Sequence, residues 1–297
     1  MNTLIVENEK VRLSNLDKIL WPKYSYCKSD LINYYIEVYP FLKEFLKNRP
    51  LSLRIYPDGI REKSFFQKNV PAHAPGWLST SSIYSSRRQE TSRWIMVNKL
   101  SDLIWIANSA SIELHAWFST FDHPNSPDFA VFDLDPSPGS RFEQLIELAL
   151  TIKEILNSLD IHSYLKTSGK KGLHIYIPLK NRYSYQDVKI FLKAIADTII
   201  AQEPKLATTE WRKKERGDKI YIDYRQNARG KTLACPYSLR PTEDATISTP
   251  LDWEELNQDL KPDAFNLSNI KNRLKTKGDF WADIMQEKQN LPHFLFN

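Results

Sequence analysis

The run Phe129-Ala130-Val131-Phe132-Asp133-Leu134-Asp135, closed by the turn residues Pro136-Ser137-Pro138-Gly139, restricts what this chain can fold into more than any other segment. It reads as a buried strand. Successive strand residues face opposite sides of a sheet, so Asp133 and Asp135 point the same way while Phe132 and Leu134 point into packing. Two carboxylates side by side repel unless a cation neutralises them, and clustered carboxylate oxygens suit a hard divalent ion such as Mg²⁺ or Mn²⁺. A solvated strand end is the alternative.

A chain of 297 residues accommodates one large or two closely packed domains, and 41% hydrophobic with 12% aromatic residues is a globular composition. Met1-Asn2-Thr3-Leu4 leads directly into charged residues, so no signal peptide and no membrane span are expected. Cys27 and Cys235 are too few and too far apart for a zinc site or a disulfide framework, which points to a reducing, cytoplasmic setting. The net charge is only +5, but between Trp211 and Lys231 eight cations face three carboxylates. A field of that sign suits polyphosphate or nucleic acid, with a solvated basic surface as the plainer reading.

Periodicity places the remaining elements. A helix is expected from Leu31 to Lys47, ended by Pro50, then a strand from Leu51 to Tyr56 and a turn at Pro57-Asp58-Gly59. In Ser64-Phe65-Phe66-Gln67-Lys68-Asn69, adjacent aromatics on an extended chain cannot share one buried face, so at least one is exposed or the pair forms a wide hydrophobic anchor. Arg93 to Val97 reads as a strand, and Ser101 to Trp117 as a mostly apolar helix carrying His115 near its end, ordinarily a structural histidine. Ser140 and Glu143 form a capping-box pattern for a helix through Leu159.

Two strands, His162 to Thr167 and Leu173 to Pro178, flank Ser168-Gly169-Lys170-Lys171-Gly172, a turn with backbone freedom and lysines for phosphate oxygens but without Walker spacing. His174 and Tyr176 share the face opposite Leu173, Ile175 and Ile177. After a helix from Tyr185 to Ala201, the strand Lys219 to Arg225 sets Tyr221, Asp223 and Arg225 against Ile220, Ile222 and Tyr224, so Asp223 is available to complete a carboxylate cluster. Thr232 to Arg240 returns with a terminal arginine, Cys235 reads as an inert core residue, and a peripheral helical wrap is expected from about 251 to 297. Carboxylates for two metal ions, a Gly-Lys turn and an Arg-rich return strand are the parts that phosphoryl or nucleotidyl transfer requires.

These segments carry a resemblance. Phe132-Asp133-Leu134-Asp135-Pro136, Lys166-Thr167-Ser168-Gly169-Lys170-Lys171-Gly172-Leu173-His174 and Ile222-Asp223-Tyr224-Arg225-Gln226-Asn227 look like the three signature motifs of the polymerase domain of bacterial DNA ligase D, in the archaeo-eukaryotic primase superfamily. The likeness extends through Ser14-Asn15-Leu16-Asp17-Lys18, Leu20-Trp21-Pro22, Lys63 to Asn69, Pro236-Tyr237-Ser238-Leu239-Arg240 and Thr249-Pro250-Leu251-Asp252-Trp253. It implies an α+β fold of mixed and antiparallel sheets flanked by helices, in one primase-polymerase domain: a peripheral segment to about 50, a core from 51 to 250, then the wrap.

The resemblance further implies a ribonucleotide-preferring polymerase that fills gaps and extends ends in non-homologous end joining, with two Mn²⁺ or Mg²⁺ ions and nucleoside triphosphates. By motif position Asp133, Asp135 and Asp223 would bind metal, and Ser168, Lys171, His115 and Arg240 would hold the incoming nucleotide. Lys18, Lys28 and Arg54 match positions that grip a 5′-phosphate across a gap, and Phe65 and Phe66 match a template-stacking pair. Ku, a DNA ligase and a nucleoid-associated cytoplasmic location are implied by the family. Lys170 stands where a smaller residue is usual and Cys235 where alanine is common. No ligase or phosphoesterase module is expected within these residues, so separate proteins or a longer parent chain would carry them. The alternatives are a Mg²⁺-dependent phosphatase of the haloacid dehalogenase class, whose later acidic pair is missing, and a non-catalytic nucleic-acid-binding module.

Overall fold

Alternating apolar and polar residues build two sheets that present their polar faces to one another across a cleft. The computed structural model describes residues 2–85 and 89–292. Its six-stranded sheet runs, in spatial order, Ala207–Thr208, Ile220–Asp223, Phe129–Pro136, Leu173–Pro178, Tyr164–Thr167 and Pro250–Leu251. Every pairing is antiparallel except that between the first two strands. On one face Ala130, Phe132, Leu134, Ile175, Ile177, Ile220 and Ile222 pack against Leu145, Ala149 and Ile152 of the helix Phe142–Ser158 and Val188, Phe191 and Ile195 of the helix Tyr185–Gln202. Each fully buried Leu, Ile or Phe there contributes about 1.5–3 kcal/mol.

The four-stranded sheet runs Thr232–Ala234, Ser111–Trp117, Leu51–Ile55 and Phe65–Gln67, antiparallel throughout. Leu51, Leu53, Ile55, Ile112 and Leu114 pack on the helices Lys28–Leu46 and Leu100–Asn108, leaving Ser52, Arg54, Glu113 and His115 on the opposite face. Between the sheets a small aromatic cluster of Phe45, Phe118, Phe129, Tyr176 and Trp281 fills one end. At the other end Asp133 and His174 take the positions that Val131 and Tyr176 hold in the cluster, and the apolar filling gives way to a polar cleft.

Several elements depart from their expected form for identifiable reasons. The helix expected from Leu31 begins at Lys28 because the Asp30 carboxylate accepts the Cys27 N–H at 2.7 Å and closes a capping box. It already ends at Leu46, and Asn48, at φ 54°, turns the chain. The single helix expected from Ser101 to Trp117 is instead a helix, Leu100–Asn108, and a strand, Ser111–Trp117. Ala110 at φ 59° reverses the chain, after which Ile112, Leu114 and Ala116 alternate with Glu113 and His115. Period two, not 3.6, governs the second half.

The helix after the paired aspartates is capped one residue later than expected, Gln144 accepting the Arg141 N–H at 2.9 Å while Ser140 bonds the Ser137 carbonyl at 2.8 Å. The strand Ile220–Asp223 stops short of Arg225, because the Asp223 side chain accepts the Gln226 N–H at 3.0 Å and caps a 3₁₀ turn over Tyr224–Gln226. After residue 251 the described chain holds one α-helix, Ile270–Lys277, one 3₁₀ helix, Trp253–Glu255, and otherwise turns and irregular chain, and 293–297 lie outside the described residues.

Candidate active site

Antiparallel pairing, not loop geometry, assembles the acidic residues. Asp133 lies opposite Asp223 on one side and opposite His174 on the other, and His174 lies opposite Lys166. The result is one cross-strand row, Asp223, Asp133, His174, Lys166, all on the sheet face turned away from the helices. Asp135, two residues on, shares that face and lies opposite Tyr221. His174 Nε2 stands 3.3 Å from Asp133 Oδ1, and its Nδ1 is buried without a hydrogen-bond partner.

Burial pushes the Asp133 carboxyl up to about 6. Asp135 and Asp223 are raised as well, first by burial and then by the charge of Asp133. At the end of the row burial pushes the Lys166 amine well down, where it bonds Ser248 Oγ. Arg216 lies 3.3 Å from Asp135 and stacks its guanidinium 3.7 Å over the Tyr221 ring. Among the described residues no three acidic, histidine or cysteine side chains already close into a metal-ligand set. The donor chemistry nonetheless fits a hard divalent cation: three carboxylates on two paired strands, two of them raised by burial and then by a neighbouring carboxylate, a repulsion that a bound cation removes.

The turn after Lys166 is tightly specified. Ser168 Oγ accepts the N–H groups of Lys170 at 3.1 Å and Gly172 at 3.0 Å, so the hydroxyl organises the backbone of the turn. Gly169 sits at φ +70°, and a Cβ there would meet Arg240 Cγ at 2.5 Å, so any side chain would displace the arginine. Lys171 is exposed and Lys170 reaches to within 3.3 Å of Glu113, and both line the cleft.

The opposite wall comes from the four-stranded sheet. His115 is pushed down to about 3 by burial and by the nearby Arg240 guanidinium, so it is neutral at pH 7, and its Nε2 has no hydrogen-bond partner. Arg240 Nε is also buried and unpartnered. Together with Asp133, Asp135, Ser168, Lys171 and His174 these groups line a cleft of about 690 Å³. Unpartnered buried polar atoms facing one cavity are costly unless a polar ligand completes them.

Glu113, a residue that sequence reasoning passed over, lies beneath this wall. Its side chain is 1% exposed, with Arg240 at 3.1 Å, Lys170 at 3.3 Å, Arg54 at 3.4 Å and the Tyr56 hydroxyl at 3.3 Å. Reading Ser111–Trp117 as a strand would have exposed it as a carboxylate sharing a face with His115.

The expected DNA-contacting residues divide into two groups. Lys28 N–H bonds the Lys18 carbonyl at 2.9 Å, bringing these lysines together, and the buried Lys28 amine donates to the Asn108 carbonyl at 3.0 Å. Burial and then the charge of Lys18 lower the Lys28 amine, while Lys18 pairs with Asp58 at 2.5 Å. Arg54 lies elsewhere, 5.3 Å over the Phe66 ring. Both Phe65 and Phe66 are exposed, at 50% and 60%, and Phe66 forms a T-shaped contact with His115, ring centroids 6.2 Å apart. Beside Phe66 a cleft of about 770 Å³ is lined by Lys68, Tyr84, Trp94, Trp117 and Arg229.

A family model described as LigD, primase-polymerase domain, matches residues 27–281. The chain belongs to that family. Similar curated proteins include the bifunctional non-homologous end joining protein LigD of Bacillus subtilis (strain 168), 37% identical over 95% of this chain. The multifunctional non-homologous end joining protein LigD of Mycolicibacterium smegmatis is 32% identical over 93%. This chain covers 45% and 36% of those two proteins, less than half of their length. The polymerase domain from Mycobacterium tuberculosis ligase D, solved in complex with DNA, superposes with a TM-score of 0.86 at 29% identity, covering 94% of this chain and 99% of that one.

The primase-polymerase domain is a nucleotidyltransferase module, and the expected α+β, primase-type fold is the one observed. Membership turns aside the phosphatase and binding-module alternatives. The strand geometry agrees, since the Asp133 strand is antiparallel to both neighbours and not part of an open parallel sheet with ligands at its strand ends. No helix among the described residues is long and apolar enough to cross a membrane.

Proposed function

We propose that this chain is a single catalytic domain that adds nucleotides to a primer on a broken or gapped duplex, favouring ribonucleoside triphosphates, as the polymerase step of non-homologous end joining. The observation that carries the reading is the convergence of two walls on one cleft: Asp133 and Asp135 on one, with Asp223 in register beside Asp133, and the unpartnered nitrogens His115 Nε2 and Arg240 Nε on the other. Such a cleft suits a magnesium or manganese triphosphate, whose negative oxygens take up the free donors.

Asp133, Asp135 and Asp223 would hold two Mn²⁺ or Mg²⁺ ions. Bound there, such ions would supply Lewis acidity for an attacking hydroxyl and positive charge for a departing pyrophosphate. Arg240 and Lys171 would bind the triphosphate, and Ser168 holds the turn that presents it. His115, neutral at pH 7, offers a hydrogen bond rather than a charge. On the DNA side, Phe66, with Arg54 over its ring and Phe65 next to it in sequence, would stack on a template base, and Lys18 and Lys28 would offer cations for a downstream 5′-phosphate. Ku and a ligase would be the working partners, at the nucleoid in the cytoplasm.

Primer extension on a gapped duplex tests the reading. The parent lengthens the primer, and Asp133→Asn or Asp223→Asn abolishes extension while leaving DNA binding largely intact. Phosphate release without extension, or extension by either variant above a few per cent of the parent rate, rejects it.

A further inference from the structure

Glu113 lies behind the basic wall, and its two oxygens face different neighbours. Oε1 lies 3.1 Å from Arg240, 3.3 Å from Lys170 and 4.0 Å from His115 Nε2. Oε2 lies 3.4 Å from Arg54 and 3.3 Å from the Tyr56 hydroxyl. Arg54 in turn lies over Phe66, and Phe66 meets His115 in a T-shaped contact. One buried side chain therefore touches groups on the nucleotide side of the cleft and on the template side.

The arrangement is not that of a satisfied structural ion pair. Three cations surround one carboxylate, Oε1 makes no hydrogen bond of good geometry, and Arg240 Nε is likewise unpartnered. A group serving only the fold would be expected to have its buried oxygens hydrogen-bonded. Here the anion holds cations near one another that would otherwise repel, and it leaves their outward donors free for a second anion. Such a counter-charge has opposing consequences for a ligand. It reduces the positive field that a polyphosphate meets, and it fixes the directions from which the donors reach it.

We infer that Glu113 is a positioning residue that holds Arg240 and Lys170 toward the incoming triphosphate and Arg54 toward the template side, sacrificing nucleotide affinity for alignment. The inference rests on the polymerase reading of this cleft. It does not make Glu113 a catalytic residue, because the carboxylate lies behind the cations and acts through them.

Glu113→Gln keeps the size and removes the charge. Freed from the counter-charge, the cations attract triphosphate at least as strongly but present it less consistently, so kcat falls about tenfold or more while KM for the nucleotide stays level or drops. The measurements are primer extension on a gapped duplex across nucleotide concentrations, and equilibrium binding of a non-hydrolysable ribonucleoside triphosphate to parent and variant. A fall in kcat together with equal or up to several-fold tighter binding of the analogue by the variant supports the inference, and a parental kcat overturns it. Binding weaker by threefold or more, or a raised KM with kcat preserved, overturns it. If the parent itself fails to extend primers, the polymerase reading is lost, while the analogue titration still decides whether Glu113 restrains an anion site. Glu113→Asp keeps the charge but draws it back by one methylene, and it serves if the glutamine variant does not fold: kcat falls at an unraised KM, and parental values for both refute the positioning role.

Discussion

Phe66 separates two explanations of the exposed aromatic pair, a hydrophobic anchor and a base-stacking platform. With 60% of its surface exposed, Phe66→Ala forfeits less than half of a phenylalanine's burial, a surface contact with Arg54 at 5.3 Å and the ring contact with His115. At about 1.5–3 kcal/mol for full burial and about 0.5–1 kcal/mol for an exposed cation–π contact, the fold loses on the order of 1 kcal/mol. A stacked template base is worth about 1–3 kcal/mol, so affinity for a templated gap should fall between about fivefold and a hundredfold. Stacking releases no counterions, so the slope of log affinity against log salt should stay that of the parent. The assay is a DNA titration of primer extension at two salt concentrations, alongside a thermal melt. Unchanged DNA affinity in a variant with a normal melt would refute the stacking role. A melt lowered by ten degrees or more would restore the anchor.

Three further outcomes follow from other contacts. Asp128 and Arg49 form a bidentate pair at 2.7 and 2.6 Å, both almost fully buried, so Asp128→Asn should cost about 3–5 kcal/mol in urea unfolding while Arg49→Met with Asp128→Leu costs far less; equal losses would contradict this. Although partial burial opposes it, hydrogen bonds from Arg273 and Lys277 pull the Glu255 carboxyl down from 4.5 to about 2, so its stabilisation is complete above about pH 4.5 and disappears as pH falls through 2. Discounted for solvent, that is on the order of 2 kcal/mol separating the parent from Glu255→Gln at pH 7, shrinking by pH 3; a gap independent of pH excludes the clamp. Lys28→Ala should remove about tenfold of the preference for a 5′-phosphorylated gap, and retention of the full preference in matched titrations argues against a phosphate contact.

The acidic strand was legible because its signal is local: alternation fixes the shared face of Asp133 and Asp135, and flanking apolar residues fix burial. The Ser168 to Gly172 turn was legible for a similar reason, the need of Gly169 for a positive φ. What stayed hidden depends on partners distant in sequence. The pairing of Asp133 with Asp223, ninety positions apart, is a property of the sheet. Glu113 was missed because an apolar stretch broken only by Ala110's left-handed turn reads as one helix, and a helical reading scatters Glu113 and His115 onto different faces. Lys18 and Lys28 were singled out together from motif likeness, and their proximity arises from a backbone hydrogen bond that no spacing rule foretells.

The row that crosses the sheet at Asp223, Asp133 and His174 makes quality control of this protein unusually simple. Slippage of the central strand by one position would bury both carboxylates among Leu145, Phe191 and their neighbours and send Phe132 and Leu134 into water. The penalty is large enough that a chain so mispaired would not persist as a soluble, inactive look-alike. A preparation that melts cooperatively should therefore contain almost no molecules with a misassembled acidic centre, and the fraction of active sites titrated should equal the fraction of chains folded.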